Sequence, residues 1–246
     1  MLVDVHCHLH EYGDGEIEDI LSGFNGVIVA VSDDYESSLR TLALAEKHPG
    51  RIIPCLGLHP WEVKGVEAVE EAERIASLIV ERGVPCIGEV GLDKKFCPDT
   101  IEVQRRVFEV FLRAAVEADA FMNIHSPGAW GDVLALLREH GVERANFHWY
   151  TGPLAVLDEI VSAGYTVSIN PAVRIQVKHQ RVVVHAPLHA LLTESDAPYE
   201  YRGMRLSPLM IGEVVNHIAR LKGVDPAAVE EAVEANFRRV LRLPPA

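Results

Sequence analysis

Six side chains of the types that bind metal ions are spread along the chain, and each lies at the end of a short apolar segment. They are His6, His8, Glu89, His125, His148 and Asp196. Imidazole and carboxylate groups are common protein ligands of zinc and related divalent ions. Six such groups exceed what one ion needs from a protein. The set therefore predicts two ions that share a bridging ligand, an arrangement that hydrolyses phosphoesters and amides.

The first two histidines form a His-x-His pair in a strand-like segment, residues 2–8. Side chains alternate between faces along a strand, so Asp4, His6 and His8 share one face, and the two imidazoles are placed to bind a single ion. The pair is weak evidence by itself, because two surface or core histidines give the same pattern. Its position at the end of a first strand strengthens the interpretation as a metal site.

Among the other four candidates, Glu89 is the most informative. An unpaired buried carboxylate is very costly and must meet a cation or a metal, and a carboxylate is able to bridge two ions. His125 or His148 alone would be an ordinary hydrogen-bonded histidine at a strand end, and Asp196 alone a turn cap. Their coincidence at successive strand ends favours one shared metal site.

The elements that must position these residues are apolar strands alternating with amphipathic helices. The predicted strands are 2–8, 26–31, 51–58, 84–89, 121–125, 144–148, 165–170 and 190–194. Eight such units predict a parallel (β/α)8 TIM barrel, an α/β fold with its chemistry at the carboxyl ends of the strands. The segment 174–189 is the least regular unit. Two further helices, capped by Ser207 and Asp225, complete one domain over 1–246.

Composition limits the classes of function. The chain has 36 acidic and 23 basic residues and a net charge of −13, which disfavours general binding along a nucleic-acid backbone. If phosphates are bound, metals and a few local arginines or lysines must hold them. There is no apolar stretch of membrane-spanning length and no signal-peptide core at the N-terminus, so we expect a cytoplasmic protein without a membrane or an obligate protein partner.

The four cysteines predict neither a disulfide nor a zinc ribbon. Cys7, Cys55, Cys86 and Cys97 form no Cys-x-x-Cys pair, and three of them lie in predicted strands. A free cysteine in such a position behaves as a small apolar residue.

Several polar and aromatic residues follow the same strand ends. His59 is surplus to the metal set and is expected to contact substrate, while Arg202 and Arg205 are candidates for a phosphate clamp, because arginine pairs bidentately with phosphate oxygens. Asp93 is placed either to orient a metal ligand or to cap its loop. The three tryptophans either line the mouth and stack on a base or pack under loops; they are Trp61, Trp130 and Trp149.

The motifs around these residues resemble the TatD-type metal-dependent hydrolases, the TatD-related deoxyribonucleases among the amidohydrolase-like barrels. The matching segments, within about residues 3–240, are Asp4-Val5-His6-Cys7-His8-Leu9, Gly57-Leu58-His59-Pro60, Gly88-Glu89-Val90-Gly91-Leu92-Asp93, Ile124-His125-Ser126, His148-Trp149-Tyr150-Thr151-Gly152, Thr193-Glu194-Ser195-Asp196-Ala197-Pro198-Tyr199, Arg202-Gly203 and Asn236-Phe237. The chain departs from the family at Ser126-Pro127-Gly128, where a basic residue is common, and at Trp149-Tyr150, where Cys-Phe is usual. These departures concern the substrate pocket.

The resemblance implies two divalent ions and a metal-activated water that cleaves phosphodiesters. One ion would be held by His6, His8, Glu89 and Asp196, and the second by Glu89, His125 and His148. Asp196 would act as the catalytic base, Glu89 as the bridge, and DNA ends or short single-stranded DNA as the substrate. The imidazole-rich set suits Zn²⁺, with Mg²⁺ or Mn²⁺ as alternatives.

Three other functions remain open from the sequence. The first is an amide, ester or lactone hydrolase of the wider amidohydrolase type, many of which bridge their metals with a modified lysine where this chain has Glu89. The second is a PHP-like phosphoesterase, which also begins with a His-x-His pair. The third is a catalytically inactive barrel that serves as an interaction module, against which the complete ligand set argues.

Overall fold

The computed structural model describes residues 1–244, and its centre is a sheet of eight parallel strands that follow one another in chain order. The strands are β1 (Leu2–Cys7), β2 (Gly26–Val31), β3 (Ile52–Leu56), β4 (Cys86–Gly91), β5 (Phe121–His125), β6 (Ala145–Phe147), β7 (Thr166–Ile169) and β8 (Leu191–Thr193). A parallel bridge between Cys7 and Ala197 brings the last strand back to the first. The predicted (β/α)8 barrel is confirmed; of the predicted domain range 1–246, residues 245–246 lie outside the described residues.

Helices alternate with the strands and cover the outside of the barrel. They are α1 (Asp14–Gly23), α2 (Tyr35–Lys47), α3 (Ala68–Arg82), α4 (Ile101–Glu117), α5 (Trp130–Glu139), α6 (Leu154–Ser162), α7 (Val177–His185), α8 (Ile211–Lys222) and α9 (Pro226–Val240). The helical spacing of apolar residues explains the packing: Ala72, Ile75 and Ile79 of α3 are fully buried. None of the helices within residues 1–244 is both long enough and apolar enough to cross a membrane.

The segment predicted to be irregular is the seventh unit. Its helix, α7, has nine residues and lies between two short 3-10 turns, Pro171–Arg174 and Leu188–Ala190. After the barrel, the side chain of Ser207 caps a 3-10 turn that leads into α8, and the side chain of Asp225 caps α9. The Asp225 cap agrees with the prediction, whereas Ser207 caps the 3-10 turn and α8 itself begins at Ile211, with Met210 as its N-cap.

The expectation that no cysteines pair is wrong. Cys55 of β3 and Cys86 of β4 are joined by a disulfide, with 4.4 Å between their Cα atoms. The two residues lie directly opposite each other in the β3–β4 register, which places their side chains in contact. Sequence spacing carries no information on that register, because the two cysteines are 31 positions apart with a helix between them. Cys7 and Cys97 are free.

Candidate metal centre

The six candidate ligands meet at the carboxyl end of the barrel, where β1, β4, β5, β6 and β8 end. All six are at least nine-tenths buried. His6, Glu89 and His125 lie among the last residues of their strands. His8, His148 and Asp196 lie just after β1, β6 and β8. The barrel therefore brings together side chains that are up to 190 positions apart in the sequence.

One oxygen of Glu89 faces the histidine pair of β1. Its Oε2 lies 3.1 Å from Nε2 of His6 and 3.2 Å from Nε2 of His8. The same two nitrogens lie 3.5 and 3.6 Å from Oδ1 of Asp196. Two imidazole nitrogens and two carboxylate oxygens thus surround one point, and this first position offers four donors of the types that zinc binds.

The other oxygen of Glu89 faces a second group of histidines. Its Oε1 lies 2.6 Å from Nδ1 of His125, 3.0 Å from Nε2 of His148 and 3.3 Å from Nε2 of His59. The two oxygens of one buried carboxylate are therefore divided between two sets of nitrogens. This geometry is the one that a bridging carboxylate between two ions requires.

In the first position, each histidine has one ring nitrogen near Glu89 and one that points away from it, here called the far nitrogen. A polar group beside the far nitrogen orients the ring. Nδ1 of His6 donates to Oδ1 of Asn123 at 3.1 Å, and Asn123 is itself held by the backbone carbonyl of Val5. Nδ1 of His8 faces Oδ1 of Asp33 at 3.0 Å. An acceptor on one nitrogen keeps the proton there, so the lone pair of Nε2 is directed toward Glu89 and Asp196.

The second position repeats this pattern with two carboxylates. Nε2 of His125 lies 2.8 Å from Oδ2 of Asp93, while Nδ1 of His148 lies at the longer distance of 3.6 Å from Oε1 of Glu194. Ser168 donates to the other oxygen of Glu194 and holds it in place. Each of these four histidines thus has a side-chain oxygen beside the nitrogen that points away from Glu89. That arrangement leaves the nitrogen nearer Glu89 for a metal ion, which binds imidazole through an unprotonated nitrogen.

His59 has the opposite tautomer. Its Nδ1 accepts a hydrogen bond from the backbone N–H of Trp61 at 3.0 Å, so in the neutral ring the proton is on Nε2, the atom that faces Glu89. Burial lowers the pKa of His59, which disfavours the charged form of the ring. His59 therefore offers a hydrogen-bond donor to this side of the centre, whereas the other four histidines have an oxygen acceptor on the opposite nitrogen.

The pKa shifts of Glu89 and His8 show that the centre favours positive charge beside its carboxylates. Burial alone would raise the pKa of Glu89, but the surrounding histidines, His59 and His148 foremost, outweigh burial and hold that pKa well below its usual value. Burial would lower the pKa of His8, but Asp33 and the other carboxylates raise it well above its usual value. A buried carboxylate ringed by imidazoles is stable only with cations beside it, and the donor set fits divalent metal ions.

Two loop residues of the centre have left-handed backbone conformations that are unusual for side chains other than glycine. Asp196 has φ 56° and Trp149 has φ 41°. The backbone N–H of Asp196 donates to the carbonyl of His6, and that of Trp149 donates to Oε1 of Glu194. These bonds fix the two turns that aim Asp196 and His148 inward.

Asp93 closes a small network in the loop after β4. It accepts from the indole N–H of Trp61 at 2.8 Å and from the backbone N–H groups of Lys95 and Phe96. Burial would raise the pKa of Asp93, but the bonds from His125, Phe96 and Trp61 lower it to about 2. Asp93 therefore both orients His125 and caps its loop, so the two predicted alternatives are true together.

A cavity of about 940 Å³ opens above the centre. Arg202 and all three tryptophans line it, which for the tryptophans agrees with the first of the two alternatives left open by the sequence. Arg205 does not: its guanidinium lies over the ring of Tyr12 and 3.6 Å from a carboxylate oxygen of Glu16. The structure thus brings every predicted site residue to the centre or its cavity except Arg205.

Sequence reasoning missed three of the residues that orient the histidines. Asn123 lies two positions before His125 on the same strand face, and Asp33 follows β2 just as the ligands follow their strands. Glu194 lies between β8 and Asp196. The signal that points to them is a polar residue inside or just after a buried strand, where only a paired polar group is tolerated.

A barrel with buried imidazoles and carboxylates at the carboxyl ends of its strands has the architecture of the barrel metal-dependent hydrolases. Within that class, the chain belongs to the TatD related DNase family, whose model matches residues 3–242. It is 31% identical over 266 residues to deoxyribonuclease TATDN3 of Homo sapiens, an alignment that covers 99% of this chain and 94% of that protein.

Two bacterial proteins are also similar to this chain, one in sequence and one in fold. The chain is 28% identical over 258 residues to the uncharacterized metal-dependent hydrolase YcfH of Escherichia coli K12, covering 98% of this chain and 96% of that protein. The crystal structure of YjjV, a TatD homolog from Escherichia coli K12, has the same fold, with a TM-score of 0.86 and 24% identity over 99% of this chain and 98% of that one. The family and the candidate ligand groups together support dependence on divalent metal.

Proposed function

We propose that this protein hydrolyses phosphodiester bonds at DNA ends or in short single-stranded DNA, using two divalent ions in one barrel domain. The first ion would be held by His6, His8, Glu89 and Asp196, and the second by Glu89, His125 and His148. One observation carries the proposal: the two oxygens of Glu89 face two separate sets of imidazole nitrogens, at 3.1–3.2 Å and at 2.6–3.0 Å.

The substrate class is supported by the family and by the charge of the chain. The family description and the human relative both name deoxyribonuclease activity. With a net charge of −13, the protein lacks the basic surface that binding along a duplex requires. Phosphate recognition therefore falls to the metal centre and to a few cations at the cavity, which favours chain ends over long duplex.

When bound, two divalent ions supply Lewis-acid stabilisation of the phosphoryl oxygens and lower the pKa of the attacking water. The side chains of the protein would transfer the proton and bind the phosphate. Asp196, at the rim of the cavity, accepts the proton of the attacking water on its second oxygen, Oδ2, and returns it to the leaving oxygen. His59 donates its Nε2 proton to a phosphate oxygen, the role for which its tautomer is suited.

Arg202 is proposed to hold a phosphate next to the one that is cleaved. Its side chain is exposed and lines the cavity, with the guanidinium carbon 5.5 Å from the centre of the Tyr201 ring. A guanidinium in this place pairs with phosphate oxygens without entering the metal centre. Arg205, turned toward Tyr12 and Glu16, would reach substrate only if its loop moved.

We propose Zn²⁺ as the resting ion, because two of the donors at each position are imidazole nitrogens, whereas Mg²⁺ prefers an all-oxygen environment. Mn²⁺ and Mg²⁺ are the alternatives to be compared in activity measurements. An amide, ester or lactone substrate would use the same two positions, so substrate panels must separate these chemistries.

The test is hydrolysis of bis(p-nitrophenyl) phosphate and of end-labelled single-stranded DNA by protein reconstituted with Zn²⁺, Mn²⁺ or Mg²⁺. Glu89→Gln is the active-site variant, and Glu200→Gln, an exposed glutamate in the loop after β8, is its matched control. We expect a chelator to abolish turnover of the wild-type protein and added metal to restore it. Glu89→Gln should lose turnover, and Glu200→Gln should retain it. Hydrolysis of amides or lactones without any phosphodiester cleavage would overturn the proposal.

A further inference from the structure

The cavity above the metal centre is much larger than a single phosphate group requires. Its volume of about 940 Å³ lies at the upper end of the roughly 300–1,000 Å³ that ligand pockets span. Six Trp, Phe and Tyr side chains line it, namely Trp61, Phe96, Trp130, Trp149, Tyr199 and Tyr201, and all of them except Trp130 form two groups on either side of the centre. Aromatic rings around a phosphate-binding centre are the platforms on which nucleic-acid bases stack.

The first aromatic wall consists of Trp61 and Phe96, in the loops after β3 and β4. Their ring centres are 5.9 Å apart at an angle of 77°, and Phe96 is 58% exposed although it is a large apolar residue. Trp61 is fixed by its bond to Asp93 and packs 6.0 Å from the ring of His125. This wall therefore borders the second metal position.

The second aromatic wall consists of Trp149, Tyr199 and Tyr201, in the loops after β6 and β8. The Trp149 ring lies 5.8 Å from that of Tyr199 and 5.2 Å from that of Tyr201, and its indole N–H donates to Gln176 at 2.8 Å. Tyr199 is 47% exposed, and its backbone N–H donates to the carbonyl of Asp196. This wall therefore borders the first metal position.

The two walls lie on opposite sides of the mouth. In an eight-stranded barrel whose strands follow chain order, β4 and β8 are four strands apart, so their carboxyl-end loops face each other across the axis. Each wall also has its own cation: Nζ of Lys95 lies 4.5 Å from the centre of the Phe96 ring, and Arg202 lies beside Tyr201. From one wall to the other, the mouth of the barrel thus presents an aromatic wall with a cation, then the metal centre, then a second aromatic wall with a cation.

We propose that the substrate is recognised as a dinucleotide unit of single-stranded DNA, with one base stacked on each wall and the scissile phosphate between them over Glu89. This inference rests on the proposed phosphodiesterase function and deepens it. Neighbouring bases in a duplex stack on each other, so only an unpaired, splayed pair of nucleotides places one base on each wall. The cations beside the walls then neutralise the phosphates that flank the cleaved one.

The experiment compares four substrates on the metal-loaded protein: the dinucleotide dTpdT, the two analogues in which either thymine is replaced by an abasic tetrahydrofuran, and the doubly abasic diester. Stacking of a base on an aromatic side chain is strong enough that we expect each single removal to lower kcat/KM about ten-fold or more, and the double removal to lower it by about the product. Bis(p-nitrophenyl) phosphate is measured in parallel.

Two variants assign the walls. Phe96→Ala and Tyr199→Ala truncate exposed rings, so the fold is retained, and Val184→Ala, on the exposed face of α7, is the control that touches neither wall. Phe96→Ala should reduce the preference for dTpdT over one of the two singly abasic analogues, and Tyr199→Ala should reduce the preference for dTpdT over the other. The control should leave both preferences unchanged.

The outcomes separate this inference from the function on which it rests. Cleavage of all four diesters at similar rates, or a preference for a base on one side only, would overturn the two-wall proposal while leaving the phosphodiesterase intact. No cleavage of these diesters or of bis(p-nitrophenyl) phosphate would instead overturn the proposed function.

Discussion

The backbone N–H of Trp61 donates to Nδ1 of His59 at 3.0 Å, and this single bond distinguishes His59 from the four other histidines around Glu89. In those four, the nitrogen that points away from Glu89 faces an amide or carboxylate oxygen, which leaves the nitrogen nearer Glu89 for a metal ion. In His59 the near nitrogen bears the proton. Proximity to Glu89 is therefore not enough to identify a metal ligand, because the partner of the far nitrogen decides the chemistry.

The role of His59 can be separated from metal binding by comparing His59→Gln with His125→Gln. If His59 donates to substrate, His59→Gln should retain metal and lose turnover by roughly 10²-fold, the usual effect of removing one such donor. His125→Gln should lose metal at the second position. Elemental analysis and kcat, measured on the same preparations, check both; a His59→Gln protein that has lost an ion would show that His59 is a ligand.

Asp93 should control metal affinity without touching the ion. Its Oδ2 lies 2.8 Å from Nε2 of His125, on the side away from Glu89. We expect Asp93→Asn to weaken binding at the second position by roughly 10–100-fold, as is typical for carboxylates behind a ligating histidine. Titration against a competing chelator measures this, with Asp99→Asn, an exposed aspartate a few residues on, as the control. Equal affinities in the two variants would remove Asp93 from the ligand network.

Asp196 is proposed both to hold the first ion and to move a proton. Because His6, His8 and Glu89 remain at that position, Asp196→Asn should leave substantial metal bound while lowering kcat by roughly 10²–10⁴-fold, the range expected for loss of a general base. Glu200→Gln, in the same loop, serves as control. Near-normal turnover by Asp196→Asn would show that another group takes the proton.

Gly91, the last residue of β4, permits the close approach of two strands at the centre. Its φ is 149°, and a Cβ atom at this position would lie 1.9 Å from the carbonyl oxygen of His125. Gly91→Ala must push the end of β5 outward, and we expect a loss of at least about 1–3 kcal/mol in unfolding free energy, together with loss of activity. Denaturant melts measure this.

The matched control for Gly91 is Gly131→Ala, in the first turn of α5. A Cβ atom there meets nothing within 4 Å, and alanine is the better helix former. Gly131→Ala should therefore be neutral or slightly stabilising. If both variants melt alike, the contact between β4 and the backbone of His125 is not as close as the structure shows.

The barrel, and the gathering of the candidate imidazoles and carboxylates at its mouth, could be predicted from the sequence, because both depend on local patterns. A buried parallel strand is a short apolar run, and a polar residue at its end, such as Glu89 or His125, must lie at the mouth of the barrel. The eight predicted strands coincide with the observed ones to within a few residues at their ends.

What the sequence could not provide depends on pairings between distant segments. Asn123, the partner of His6, is 117 positions away, and Asp93, the partner of His125, is 32 positions away. No local pattern indicates which polar group meets which ring. The disulfide between Cys55 and Cys86 depends on strand register in the same way. Arg205 turns away from the cavity because a short hairpin, Glu200–Tyr201 with Met204–Arg205, sets the direction of its loop.

The central claim is that Glu89 divides two ions between its two oxygens, and the most direct test is the metal content of the wild-type protein and of Glu89→Gln after reconstitution with Zn²⁺, measured alongside hydrolysis of bis(p-nitrophenyl) phosphate. The structure predicts two ions per wild-type chain, turnover that disappears with chelation and returns with metal, and fewer ions with no turnover in the variant. A wild-type protein that binds no metal under any reconstitution, or full turnover in Glu89→Gln, would contradict it.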